Sequence, residues 1–455
     1  MAGKQAFTSK LLQPVSYHTL EFFRICFALV LLLQFFSFSS AHFLEKGILP
    51  VKFLFSYDWF PFITAKSPGL VKFFYGILLI APLVMLFRKF FRIAMAVYLI
   101  SFCYIVFLEQ SYYNNHFYMM MLVCFFWLFY KPETINGEKT VPYWLLFLFQ
   151  FQLFVVYFYG GIAKLNYDWI VLQEPARTML AINTPGSSIS SFLKSDFAVY
   201  YITYGGLIFD LGIGFLLFFR RTFLFAVALN ILFHITNIYI FNFGEGGDIG
   251  IFPILMIAAN ILFLPKDMLD KFRKNFQANK APAAVNKKIA QASKTNTEKK
   301  PAPFNQKLVL AFVGIYVGLQ IVLPFRHFLI SGNTEWTGQG SYFGWRMKMH
   351  TKKVTVKFFT ADAEGQELKP FPLGRIINTM QINHMGQHAG MIYQFVQFIK
   401  EDLKRKNGST NPVIKADIKV SFNGRPEQDF VDPDVNLAKV TFSSWKQPEW
   451  VEDLK

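Results

Sequence analysis

The sequence predicts a polytopic α-helical membrane protein of about nine spans, followed by a smaller α+β extracytoplasmic domain with a partly antiparallel sheet. Three observations carry this expectation. Mean hydropathy is positive, at +0.31, and 53% of the 455 residues are hydrophobic, 56 of them Phe, a composition suited to lipid as solvent. Apolar runs close to the ~20 residues that a span requires recur along most of the chain. Beyond residue 330 the pattern changes to short alternating segments.

Taken in order, the candidate spans are 18–40, 69–88, 92–110, 115–130, 142–163, 198–219, 222–242, 249–265 and 308–326, the fourth being short. No small-x-small cleavage site follows the first run, which is therefore expected to be a retained helix rather than a signal peptide. Residues 266–307 carry eleven Lys/Arg against Asp267, Asp270 and Glu298, and read as a solvated cytoplasmic loop. The clusters Arg88/Lys89/Arg92, Lys131/Lys139 and Arg220/Arg221 fall on the same side as this loop, together with Lys4 and Lys10. That side is expected to be the cytoplasm. The formal charge of +17 then reflects membrane topology, and no nucleic acid partner is expected. Cys26, Cys103 and Cys124 lie in apolar runs, so no disulfide is expected.

The ninth span delivers the C-terminal part to the opposite side, which divides the chain into a helical transmembrane domain, 1–330, and an extracytoplasmic domain, 331–455. In the latter, 353–359 (KVTVKFF) alternates with period two and reads as a strand. Residues 380–405 suit one amphipathic helix ending near Asn407-Gly408. A second alternating strand, Val413–Phe422, stops at Asn423-Gly424, a turn signal.

Ionisable groups inside spans are costly, so each is a functional candidate. Here they are Arg24, Glu109, His116, Lys164, Asp210 and His234. Arg24 sits near the cytoplasmic end of its span, where it can snorkel. Asp210 lies mid-span and is expected to form an ion pair with Arg24 or another basic group. Glu109, His116, Lys164, His234 and His327 all fall towards the outer membrane surface under this topology. Lys164, in 159–169 (YGGIAKLNYDW), is the most suggestive. Desolvation disfavours a charged amine, so a neutral lysine able to act as a base is expected. Gly160 and Gly161 permit close backbone approach beside it. Walker, CxxC, HExxH and G-x-S-x-G motifs are absent from the sequence, and no metal is expected.

At these residues the chain resembles the vitamin K-dependent γ-glutamyl carboxylase family and its bacterial HTTM relatives. The matching blocks are 21–24 (EFFR), 113–116 (YNNH), 157–169 (YFYGGIAKLNYDW), 209–219 (FDLGIGFLLFF), 233–234 (FH), 323–328 (LPFRHF), 336–338 (WTG), 345–350 (WRMKMH) and 430–436 (FVDPDVN), in order along the chain. The resemblance implies carboxylation of protein glutamate to γ-carboxyglutamate with CO2, coupled to oxidation of vitamin K hydroquinone to its epoxide by O2. It implies Lys164 as the group that deprotonates the hydroquinone, with His116 and His234 catalytic beside it. Asn115, Lys164, His327, Tyr342 and Trp345 would line the hydroquinone pocket, and His350 would contact substrate. A glutamate-containing protein or peptide is the implied partner. The short form suggests a bacterial plasma membrane, with the endoplasmic reticulum membrane as the eukaryotic equivalent.

Three features depart from animal members. The chain stops soon after Trp450, so propeptide recognition of the animal kind is not expected. Ala163 stands where animal enzymes often carry a second lysine, and 241–248 are extra residues near the implied site. Two other readings share the same blocks: a quinol-oxidising protein without carboxylase activity, and a non-enzymatic HTTM-type membrane partner or carrier.

Overall fold

A computed structural model describes residues 2–135, 137–183, 190–241, 249–269, 271 and 305–455. Most of the basic 266–307 stretch and the Gly-rich 244–248 segment lie outside these residues. Each of the nine apolar runs contains helix. Six helices are long and apolar enough to cross a bilayer: His18–Ser40, Pro68–Met85, Tyr143–Ala163, Asp196–Phe218, Phe223–Phe241 and Gln306–Leu329. The other three runs give the shorter apolar helices Phe91–Phe107, Asn115–Trp127 and Phe252–Phe263. Asn115–Trp127 has 13 residues. At the α-helical rise it extends about 20 Å, less than the roughly 30 Å hydrocarbon core. It is apolar on every face because it lies inside the bundle, where Phe126 meets Phe149 and Tyr316 edge-on.

Polar anchors fix the bundle at the end bearing the basic loops. Glu21 accepts from Arg24 at 2.9 Å, pairs with Arg88 at 2.7 Å and accepts from Tyr130 Oη at 2.8 Å. Arg24 is therefore a buried member of an ion-pair cluster rather than a snorkelling side chain. Glu133–Ile135 pairs antiparallel with Glu138–Pro142, and Pro14–Ser16 adds a third antiparallel strand.

A seam of small residues joins Tyr143–Ala163 to Gly206–Phe218. A Cβ on Gly161 would lie 2.7 Å from Leu211 Cδ2 and 3.0 Å from its backbone nitrogen, and one on Gly214 would lie 2.7 Å from Phe154 Cδ2. The two backbones thus approach in the manner of small-residue packing between membrane helices. Just before this seam, Tyr201–Gly205 forms a wide π turn.

The C-terminal region carries a four-stranded antiparallel sheet. Its centre pairs Lys352–Ala361 with Val413–Phe422, and Lys369–Pro370 and Gln428–Asp429 lie at the edges. Asn423 and Gly424, at φ 48° and 73°, make the expected turn. Gly408, at φ 69°, caps the helix that precedes the second long strand. The single helix expected over 380–405 is two helices, Thr379–Met385 and Ala389–Asn407. Gly386 follows the first of them, and a Cβ there would lie 2.6 Å from Val356 Cγ2. The chain packs directly on the strand, and His388 takes an extended N-cap conformation before the second helix starts.

The region is fastened to the bundle by the loop after His18–Ser40. Phe55 is fully buried in its core, and Phe53 lies 4.8 Å from Phe398. Glu109 holds this joint rather than the cavity described below. It accepts from Phe55 N at 2.9 Å, Ser111 N at 2.8 Å and Gln381 Nε2 at 2.8 Å. The glycine seam gives a direct test. Gly161→Ala is expected to destabilise by about 1–3 kcal/mol through overpacking. Gly206→Ala, whose Cβ meets nothing within 4 Å, should be neutral or stabilising. Thermal unfolding of both variants in detergent measures the difference.

Candidate active site

Lys164 follows directly on Tyr143–Ala163, and its backbone N–H closes the last turn onto Gly161 O at 3.0 Å. A cation at a helix C-terminus is favoured by the helix dipole. Its Nζ curls back to Gly160 O at 3.3 Å and donates to Asp210 Oδ2 of the neighbouring helix. The side chains are almost wholly enclosed, with Lys164 8% and Asp210 6% exposed. The glycine seam is what lets the two helices come near enough for this pair. Trp169 covers it, with its ring 5.1 Å from Nζ, and is itself held by Nε1 donating to Thr203 O of the π turn at 2.9 Å. Lys164 is thus not isolated, because Asp210 supplies a carboxylate partner and a second proton-accepting group.

A directed hydrogen-bond chain runs beneath. Asn260 Nδ2 donates to Asn230 Oδ1 at 3.1 Å, and Asn230 Nδ2 donates to Tyr157 Oη at 2.6 Å. Tyr157 Oη lies 2.9 Å from His234 Nε2. The order of donors assigns the tyrosine proton to His234 Nε2, which leaves the histidine proton on Nδ1. That Nδ1 is buried and has no partner among the described residues.

Lys164, Asp210, Tyr157 and His234 line one wall of a cavity of about 670 Å³. Its apolar side includes Phe209, Ile213, Leu229 and Phe252. Two further lining residues, Ile208 and Leu232, are also 70% and 55% exposed, each on an apolar helix long enough to cross a bilayer.

The opposite wall comes from the C-terminal region and is rich in basic groups: Arg346, His350, His384 and His388, with Tyr342 between the walls. Glu335 accepts from Arg346 Nε at 2.6 Å and faces His350 Nδ1 at 2.8 Å. Burial works to raise the Glu335 carboxyl, but the bonds to His350 and Arg346 outweigh it and hold the group well below the usual carboxylate range. Bonding of His350 Nδ1 to a carboxylate leaves Nε2 as its basic nitrogen. His384 and His388 stack with centroids 5.6 Å apart and planes 3° from parallel. His388 Nδ1 is fixed on His384 O at 2.8 Å, so Nε2 is again the free lone pair. Burial, then the nearby His350 and Lys352, push the His384 ring down to about 4. Burial pushes the Lys352 amine behind them down to about 7, while its Nζ donates to Trp336 O at 2.6 Å and Gln387 O at 3.0 Å.

Residues 12–268 match the HTTM domain, and residues 305–455 match the vitamin K-dependent gamma-carboxylase lumenal domain. The chain belongs to the HTTM-domain gamma-carboxylase family. No solved structure matches it. Both matches point to an enzyme of the vitamin K-dependent carboxylase type, acting in a membrane on a protein substrate.

For this carboxylase-family chain, the structure brings Lys164, Asn115, His234, Tyr342 and His350 to the cavity. Asn115 accepts from Tyr113 Oη at 3.0 Å and reaches Arg346 O at 3.4 Å, which bridges the bundle to the C-terminal region. His116, His327 and Trp345 are not among the lining residues. His116 is buried behind Asn115, with both ring nitrogens unpartnered among the described residues and its Cε1 only 3.0 Å from a Cβ built on Gly250. His327 bonds through Nδ1 to Pro324 O at 2.8 Å. Trp345 stacks on Tyr118 at 4.9 Å as a structural wedge. Sequence reasoning named Asp210 without finding Lys164 as its partner, and it missed Tyr157, Asn230, Glu335, His384 and His388. The i, i+4 spacing of the last two around Gly386 was the available signal.

Two predictions follow from this geometry. Asp210→Asn strands a buried cation and is expected to cost about 3–5 kcal/mol, most of it recovered in Lys164→Met/Asp210→Leu; thermal unfolding in detergent reads both. The second concerns acid. Folding lowers the His384 pKa from 6.5 to about 4, so between these values the unfolded ring binds a proton that the folded ring refuses. Stability is therefore full above pH 6.5 and falls as pH drops towards 4. His384→Gln should flatten that stretch of the denaturation-versus-pH curve.

Proposed function

We propose that this protein carboxylates glutamate side chains of a peptide or protein to γ-carboxyglutamate, consuming CO2, in a reaction coupled to oxidation of vitamin K hydroquinone by O2. The observation that carries the reading is one cavity with two chemically different walls: a buried Lys164–Asp210 pair on the membrane-helix side and a basic, histidine-rich face on the C-terminal side. The cavity fits a lipid-soluble quinol. Its apolar lining suits a fused aromatic ring, its Lys164–Asp210 pair and histidines suit the ring oxygens, and the exposed Ile208 and Leu232 suit an isoprenoid tail.

When bound, the hydroquinone supplies the strong base that a γ-proton of glutamate requires. Around it the roles divide by residue. Lys164, covered by Trp169, passes its proton to Asp210 and accepts the proton of one quinol hydroxyl. His234, with Nδ1–H turned from its Tyr157 anchor, donates to the other quinol oxygen. His384, His388 and His350 form the face that receives the substrate carboxylate. Burial beneath Tyr342 and the aromatic lining excludes water, which protects a carbanion-like species from protonation. We assign a supporting role to His116, buried one residue beyond Asn115.

The same reading places the C-terminal region on the extracytoplasmic face of a bacterial plasma membrane. The three shorter helices complete nine crossings, and residues 1–330 and 331–455 form the two domains. The positions of Arg88, Lys89, Arg92, Lys131 and Arg220 at one end of the bundle support this orientation.

The test uses purified protein in detergent with vitamin K hydroquinone, labelled bicarbonate and a Glu-containing peptide. Label is expected in the peptide, with one epoxide formed alongside, and Lys164→Ala should lose both products. His384→Ala should raise the KM for peptide roughly 10-fold or more, as expected for a lost charged hydrogen bond, while leaving epoxide formation in place. Epoxide without labelled peptide would leave only quinol oxidation standing.

A further inference from the structure

Two buried amides of the helical bundle stand outside the cavity yet connect to it. Neither Asn230 nor Asn260 is a lining residue, whereas Tyr157 and His234 both are. Asn230 lies one turn before His234 on Phe223–Phe241, and Asn260 opens the 3-10 turn Asn260–Phe263. Amides between membrane helices commonly serve as glue. Glue needs no particular direction of donors and acceptors, and this chain has one.

The direction is set by a backbone carbonyl. Asn260 Nδ2 donates to Ile257 O at 3.1 Å and to Asn230 Oδ1 at 3.1 Å. Turning the Asn260 amide over would set its oxygen against two acceptors. With Asn230 Oδ1 occupied in this way, Asn230 Nδ2 faces Tyr157 Oη at 2.6 Å. Tyr157 Oη accepts there, and among the described residues its own proton has one acceptor, His234 Nε2 at 2.9 Å. The arrangement leaves Asn260 Oδ1 buried and unpartnered among the described residues. Such an orphan is costly, and apolar side chains of similar shape would avoid the loss.

We propose that Asn260 and Asn230 are positioning residues that set the tautomer of His234. With Nε2 held as an acceptor, the neutral ring carries its one proton on Nδ1. Whatever the ring meets beyond Tyr157 it therefore meets as a donor. Reversal of the chain, with Asn230 Oδ1 accepting from Tyr157, would put the proton on Nε2 and leave Nδ1 a base. Donation by His234 to a quinol oxygen rests on the carboxylase reading above, whereas control of the tautomer does not.

The experiment uses the full chain in detergent, labelled with nitrogen-15 histidine, at mildly alkaline pH. Two-bond correlations from the ring carbon protons distinguish a protonated nitrogen from a bare one. The His234 signals are those lost in His234→Gln. Nearly all of the ring is expected with its proton on Nδ1. In Asn260→Leu the ratio of the Nδ1–H to the Nε2–H form should fall about 5-fold or more, the scale of one neutral hydrogen bond. Asn230→Leu should give the same fall and replaces Asn260→Leu if that variant does not fold. Gln150→Met is the structural control, because Gln150 Nε2 donates to Leu262 O of the same 3-10 turn at 2.8 Å. It should lower the unfolding temperature and leave the tautomer alone. His234 with its proton on Nε2 in the unaltered chain overturns the proposal. So does an unchanged ratio in the folded asparagine variant, or an equal fall in Gln150→Met. Absence of epoxide from the unaltered chain would count against the carboxylase reading alone.

Discussion

A lysine enclosed between apolar helices must meet an anion or surrender its charge, and the arrangement around Lys164 follows from that constraint. The ammonium can reach Asp210 only if two helices approach at backbone distance, and Gly161 and Gly214 remove the side chains that would hold them apart. Close approach also demands that Asp210 face the seam. The π turn at Tyr201–Gly205 lies immediately before it, and a carbonyl of that turn anchors Trp169 over the pair. Small residues, irregular turn, aromatic cover and ion pair therefore form one dependent set.

The same set reaches the C-terminal region. Asp168, next to Trp169, accepts both arms of Arg425 at 2.8 and 2.7 Å and Asn423 Nδ2 at 2.7 Å. Arg425 and Asn423 belong to the turn that ends the second long strand. The segment that covers Lys164 is thus bound bidentately to the sheet whose other strand starts at Lys352, beside His350. Such fork geometry fixes orientation as well as distance. The two walls of the cavity are held in register by this link on one side and by the Glu109 joint on the other.

Much of this was legible in the sequence, for identifiable reasons. Apolar runs declare helices because lipid and protein interior both exclude polar groups. Asn423-Gly424 and Gly408 declare turns because few other residues adopt positive φ. Gly160-Gly161 before Lys164 declared close approach. Pairings were less accessible. Nothing local distinguishes Arg24 from Lys164 as the partner of Asp210, since the choice is made by helix neighbours far apart in sequence. The break after Met385 was hidden because glycine is tolerated within helices, and the need for glycine at 386 comes from Val356 on a distant strand. His384 and His388 were missed for the same reason. Helix length was the remaining gap: a helix buried in protein and one in lipid have the same composition, so the apolar run does not declare that Asn115–Trp127 has only 13 residues.

The two walls differ in how they handle charge, and this difference gives the cavity its direction. On the membrane side the positive charge of Lys164 is matched by Asp210, so a proton can pass between them without leaving a bare charge in an apolar medium. On the C-terminal side, Glu335 is already shared by Arg346 and His350, and Lys352, His384 and His388 have no acid of their own among the described residues. Burial keeps such groups from charging alone. An anion entering from that side would supply the missing counter-charge and draw protons onto the rings. The wall is therefore unwelcoming to cations and receptive to a carboxylate, whereas the paired wall is indifferent to both and suited to exchanging a proton with a neutral quinol. A substrate with one acidic end would be oriented by this asymmetry before any chemistry began.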